Sequence, residues 1–123
     1  MFYPFMDKSC PVYYASNLIG KRWTIVILLE LYKGEGKWKR YHEIKSRLPQ
    51  LTPKILSTRL KELATEGVII KRVDSSTVPI KSEYSLTKKG EDFIQIIEHI
   101  KDWTVKYKSA RKCTSKDCRH CME

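Results

Sequence analysis

Apolar and polar positions change period once between Thr52 and Leu86, and that switch is the most informative pattern in the chain. Leu56, Leu60 and Leu63 recur at i, i+4 and i+7, the inner stripe of an amphipathic helix. Thr52 caps that helix, Pro53 takes its first position and Gly67 stops it. Lys54, Ser57, Thr58 and Lys61 share a second stripe at the same spacing, so one face packs inward and the other faces solvent. The period then shortens. Val68 to Val73 is β-branched, Ile80 to Leu86 alternates, and Asp74, Ser75, Ser76 and Pro79 lie between them, which predicts a hairpin with a long loop.

Upstream, Pro11 at a first helical position opens a helix to Ile19, ended by Gly20. Trp23 to Tyr32 is apolar nearly all round; a buried strand would fit, but its length and the flanking Gly20 and Gly34 favour a central buried helix. Tyr41, Ile44 and Leu48 predict a third, short helix that opens at Arg40 or Tyr41 and ends at Pro49. Thr87 caps a last helix from about Lys88 to Tyr107, with Phe93, Ile97, Ile100 and Trp103 as its apolar stripe. Met1 to Met6 is aromatic, and Pro4 argues against helix there.

At 123 residues and 41% hydrophobic, the chain is long enough to fold as one domain, alone or as a dimer. Its net charge of +10 is uneven. Residues 33–47 carry six Lys or Arg against Glu35 and Glu43, and residues 101–123 carry seven against three acids. Such patches point to a polyanion, although charge alone fits a solvated basic surface as well. The longest apolar run, Ile25 to Leu29, is far too short to span a bilayer, and no secretory leader is visible, so a cytoplasmic protein without membrane attachment is expected. Four cysteines are too few for a secreted disulfide scaffold, and Cys113, Cys118 and Cys121 crowd into the last eleven residues.

The element order is that of a winged helix-turn-helix. The stretches CPVYYASNLIGKRW (Cys10 to Trp23), RYHEIKSRLPQLTPKILSTRLKELATEGVI (Arg40 to Ile69) and PIKSEYSLTKKG (Pro79 to Gly90) narrow it further. Their Cys-Pro, Ile-Gly-x-x-Trp, Arg-aromatic-x-Glu-Ile and Tyr-Ser-Leu-Thr-x-x-Gly signatures together resemble the HxlR family of transcriptional regulators, relatives of the MarR group, over roughly residues 10–105. The cysteine-bearing tail after residue 110 departs from that pattern. The resemblance implies an α+β, mainly helical fold: a winged helix-turn-helix with a two- to three-stranded wing sheet and a long C-terminal dimerisation helix. It divides the chain into an aromatic arm (1–9), the winged-helix domain (10–107) and a basic cysteine-rich tail (108–123). It further implies a homodimer on a pseudo-palindromic operator in double-stranded DNA, repressing or activating a neighbouring gene. Residues 52–66 would enter a major groove, and the wing, 74–79, would lie toward a minor groove. Geometry agrees, because two half-sites in successive major grooves need recognition helices about 34 Å apart, and a symmetric dimer supplies that spacing. The first helix, the last helix and the aromatic arm hold the apolar surface available for dimerisation.

The residues expected at DNA follow. Lys54, Ser57, Thr58 and Lys61 are candidates for groove contacts, beside the helix start capped by Thr52, where unpaired N–H groups favour a phosphate. Arg59 is expected to reach a phosphate from the flank; Arg72 and Lys81 at the wing, and Lys39 and Arg40 before the third helix, are expected to touch the backbone. The bland alternative is a solvated helix face, and the corresponding function is a nonspecific architectural nucleic-acid protein. Cys10, at a helix start where the dipole favours a thiolate, is a candidate redox sensor, a role some HxlR-like regulators give this cysteine; the alternative is a small residue at the dimer seam. Cys113, Cys118 and Cys121 with His120 offer zinc ligands but no complete four-ligand motif; disulfides or free thiols fit equally, and DNA binding requires no cofactor. His42 and His99 stand apart from any carboxylate or nucleophile motif, and the three tryptophans read as core or interface residues. No nucleophile elbow, phosphate loop or carboxylate pair is present, so no catalytic residue and no enzyme activity are expected.

Overall fold

The structure is a computed structural model, and it describes residues 9–33 and 36–108. Five helices and three short strands follow in the order α1 (Pro11–Ile19), α2 (Thr24–Tyr32), β1 (Lys39–Arg40), α3 (Tyr41–Arg47), α4 (Pro53–Thr65), β2 (Ile69–Asp74), β3 (Lys81–Leu86) and α5 (Lys88–Lys108). The strands form one antiparallel sheet of order β1-β3-β2. Its register pairs Ile69 with Leu86, Arg72 with Glu83 and Asp74 with Lys81 across the hairpin, and Lys39 with Tyr84 on the far edge. This is the mainly helical winged helix-turn-helix that the sequence predicts, with β1 as the third strand.

Glycine and one tryptophan set the corners. Gly20 is the C-cap of α1, its N–H donating to the Ser16 carbonyl oxygen, which an added Cβ would strike. Trp23 then takes the left-handed region at φ 79° just ahead of α2, with the Arg22 guanidinium over its ring. Together the two residues give the Ile-Gly-x-x-Trp pattern its physical meaning, a tight reversal between two packed helices. Gly90 serves close approach: an added Cβ would strike the Val68 carbonyl oxygen and crowd Leu86, so α5 leaves the sheet only where a side chain is absent.

The core joins α2, α3, α4 and the sheet. Ile27, Leu28, Ile44, Leu48, Leu51, Leu56, Leu60, Leu63 and Val68 are all essentially inaccessible. The apolar run of α2 is thus a central buried helix, yet it carries a buried Glu30, which Arg47 reaches at 2.6 Å and Lys33 at 3.7 Å. A buried carboxylate requires such partners, since its desolvation would otherwise be several kcal/mol.

Several boundaries and faces differ from expectation. The strands begin one residue later, at Ile69 and Lys81, and Trp23 lies outside α2. On α5 the buried residues are Gly90, Ile94 and Ile97; Phe93 is only half-buried, and Ile100 and Trp103 are exposed. Ile100 and Trp103 thus lie beyond the core that the described residues form. No helix among the described residues is long and apolar enough to cross a membrane. The aromatic arm and the tail, with Cys113, Cys118, His120 and Cys121, lie outside the described residues apart from Ser9 and Lys108.

Candidate nucleic-acid interface

Helix α4 is held from beneath and at its start. Leu56, Leu60 and Leu63 anchor it in the core, and the Thr52 hydroxyl accepts the Ile55 N–H at 3.2 Å. The Tyr41 hydroxyl on α3 donates to the Pro53 carbonyl at 3.3 Å, fixing the two helices of the motif to one another. Lys54, Ser57, Thr58 and Lys61 all project into solvent. Thr58 donates its hydroxyl proton to the Lys54 carbonyl at 2.8 Å, so what it offers outward is a methyl group and an acceptor oxygen. Ser57 makes a long 3.4 Å bond to the Tyr41 hydroxyl.

The acids of α4 turn away from that face. Glu62 accepts from Lys21 at 2.6 Å and from Arg59 at 3.1 Å, and Glu66 accepts from the Tyr14 hydroxyl at 2.8 Å. Arg59 is engaged within the protomer: its Nε donates to the Arg22 carbonyl at 3.1 Å and its Nη1 to Glu62, tying α4 to the corner before α2. The outer stripe keeps its positive charge because the neighbouring carboxylates are spent on the inner flank.

At the wing two cations are matched by carboxylates, while Lys71 lies over the Tyr84 ring. Arg72 donates from both Nε and Nη2 to Glu83 Oε1, at 3.2 and 2.9 Å, with its guanidinium stacked 4.1 Å above the Trp38 ring. This pairing holds Arg72 to the adjoining strand, and the stack makes Trp38 a platform for that side chain. Lys81 lies directly across the strand pair from Asp74. The Asp74 carboxylate accepts from the Ser76 hydroxyl and backbone N–H, and these bonds hold its pKa below the usual carboxylate range, with Lys81 and Arg72 adding to the effect. Lys39 Nζ donates to the Gly36 carbonyl at 3.1 Å, and the Arg40 backbone N–H to Glu43 Oε1 at 3.3 Å, so β1 presents both residues at the start of α3.

Sequence reasoning did not find the junction of α1, α4 and α5. Lys89 Nζ donates at 2.8 Å to both the Tyr14 hydroxyl and the Glu66 carbonyl oxygen, while Tyr14 donates to the Glu66 side chain. The partners lie 23 to 75 residues apart, beyond the reach of any periodicity. Cys10 sits at the N-cap of α1 as a half-buried free thiol, and its carbonyl accepts the Tyr14 N–H at 2.9 Å. His42 and His99 are exposed. No group of three or more metal-binding side chains occurs among the described residues.

The HxlR-like helix-turn-helix family matches residues 18–112, nearly the whole described domain. This chain belongs to that family. It is 39% identical over 101 residues to YdeP of Bacillus subtilis (strain 168), an uncharacterized HTH-type transcriptional regulator, covering 82% of this chain and 76% of that one. A MarR-family transcriptional regulator from Porphyromonas gingivalis W83 superposes with a TM-score of 0.72 at 30% identity, over 85% of this chain and 99% of that one. The redox regulator HypR in its oxidized form superposes with a TM-score of 0.68 at 31% identity, over 85% and 100%. The HxlR protein described here is accordingly a helix-turn-helix transcriptional regulator and not an enzyme.

Proposed function

We propose that this HxlR regulator binds a pseudo-palindromic operator in double-stranded DNA as a homodimer, with α4 of each protomer in a major groove and each wing toward a minor groove. The observation that carries the reading is the outer face of α4, where Lys54, Ser57, Thr58 and Lys61 are exposed while Glu62, Glu66 and Arg59 are engaged elsewhere. Lysine and hydroxyl groups at that spacing can contact base edges and phosphates in a single groove. Two surfaces support dimerisation. Helix α1 buries none of its residues fully within the protomer, and Ile96, Ile100, Trp103 and Tyr107 form an exposed apolar stripe on α5 at i, i+4, i+7 and i+11. Binding to an operator places the protein with the chromosome, in the cytoplasm.

Selection of bound duplexes from random DNA tests the reading. The expected product is a two-fold symmetric site with half-sites about one helical turn apart. Alanine at Lys54, Ser57, Thr58 and Lys61 together should abolish that preference in a protein that still folds; unchanged preference overturns the proposal, and equal affinity for every duplex supports the architectural alternative.

A second reading concerns the input. Cys10 is a free thiol at the start of α1, and one structural neighbour is named a redox regulator. We infer that oxidation of Cys10 alters operator affinity through α1, and an alkylation rate no faster than that of a model thiol removes the idea. Zinc at Cys113, Cys118, Cys121 and His120 is a separate proposal, decided by metal analysis of protein purified without added zinc together with a thiol count.

A further inference from the structure

The wing has an unusual surface for an element expected to meet a polyanion. From Asp74 to Ile80 it carries no Lys or Arg, and of the cations at its base Arg72 faces Glu83, Lys81 faces Asp74 and Lys71 lies over the Tyr84 ring. What it presents is aliphatic: Val78 is 99% exposed, Ile80 64% and Val73 53%. Local hydrogen bonds shape this tip. Asp74 holds the Ser76 backbone and hydroxyl, and the Thr77 hydroxyl donates to the Pro79 carbonyl at 3.1 Å.

We propose that Val78 and Ile80 form an apolar wedge that packs on deoxyribose and base edges in the minor groove, so that the wing adds affinity without adding salt dependence. The inference rests on the DNA-binding reading above and specifies how its second contact works. A groove about 6 Å wide admits a single narrow loop, and its walls include the apolar faces of sugars. Val, Ile and Pro suit those walls, and the Ser75 hydroxyl can meet the polar groove edges. A protein partner fits less well, because a few aliphatic side chains on one hairpin tip fall far short of the roughly 800 Å² per side that a stable interface buries. DNA already docked through α4 asks no such independent affinity of the tip. Continuity favours it too, since β2 starts two residues beyond Gly67, the glycine that stops α4.

The test is a salt titration of affinity for the selected duplex, with circular dichroism to confirm folding. Replacing Val78 and Ile80 together by serine should weaken binding about tenfold at every salt concentration, the scale expected for partial burial of two aliphatic side chains, and leave the slope of log K against log[salt] unchanged. Val78→Arg should strengthen binding and steepen the slope by about 0.9, one added phosphate neutralised. Unchanged affinity for the serine pair overturns the wedge, as does a flattened slope. Altered regulation in cells with unaltered affinity also overturns it, by pointing to a protein partner. The Lys54→Ala, Lys61→Ala pair is measured alongside. If neither pair matters, the DNA-binding reading fails; if only the lysine pair matters, the wedge alone fails.

Discussion

Helix α4 and the wing are neighbours in sequence and opposites in electrostatics. On α4 the acids are drawn off to Lys21, Arg59 and Tyr14, and Lys54 and Lys61 are left exposed. On the wing Arg72 and Lys81 stand against carboxylates across the strands, Lys71 stands against Tyr84, and the tip is aliphatic. Charge composition alone would rate the two regions alike. What separates them is where their acidic partners lie, and the difference assigns long-range, salt-sensitive attraction to the helix and short-range contact to the loop.

The most damaging change removes the floor under the helix. Leu60 is about 1% exposed, in contact with the core shared by α2, α3 and the sheet, and Leu60→Ala should cost about 2–5 kcal/mol of stability. Thermal unfolding of the variant would show a melting temperature lower by many degrees. No change at the wing tip should approach it, because Val78 touches so little of the fold.

Next come the lysines. Lys54→Ala with Lys61→Ala should reduce the slope of log K against log[salt] by about 1.8 if each lysine neutralises one phosphate, and leave melting almost unmoved. A fall in affinity with the slope intact would instead mean that these lysines contact bases, which sharpens the comparison by making the helix the specific element and α3 with β1 the electrostatic one. Glu83→Gln should give a smaller and opposite change. It releases Arg72 from its carboxylate at the cost of an exposed pair worth under about 1 kcal/mol, so the salt slope should steepen toward one more phosphate. A slope that stays the same would show that the Trp38 stack, not Glu83, holds the guanidinium in place.

Much of α4 was legible in advance because everything that defines it is local. Thr52, Pro53, the leucine spacing and Gly67 fall within one short segment, and each acts through bonds to near neighbours. The bonds that Arg59 and Arg72 make within the protomer were not legible, since their partners Arg22 and Glu83 lie 37 and 11 positions away and only the tertiary fold brings them close. On α5 the periodicity correctly marked an apolar helix but could not tell which half the protomer covers. Ile94 and Ile97 meet the domain, whereas Ile100 and Trp103 extend past it. Cys10, Thr52 and Gly90 show the same division from another side: a cap or a turn can be read from sequence, but the carbonyl that makes Gly90 necessary belongs to Val68.

The smallest effect is a pH dependence confined to the wing. Asp74 is held below the ordinary carboxylate value of 3.8, first by the Ser76 hydroxyl, then by the Ser76 N–H, with Lys81 and Arg72 assisting. A carboxylate whose folded pKa is depressed contributes fully above its unfolded value, and the contribution fades as pH falls through the lower, folded one. The tip should therefore be indifferent to pH from neutrality down to about 4 and loosen only below that, as the proton displaces the Ser76 bonds. Amide exchange or chemical shifts of Ser75 to Thr77 would follow the change, with α4 unaffected over the same range because Asp74 makes no bond to it. Asp74→Asn should flatten this acid response while preserving the turn, since an amide oxygen can still accept the Ser76 N–H. Loosening that begins near neutral pH, or that persists in the asparagine variant, would mean that some group other than Asp74 shapes the tip.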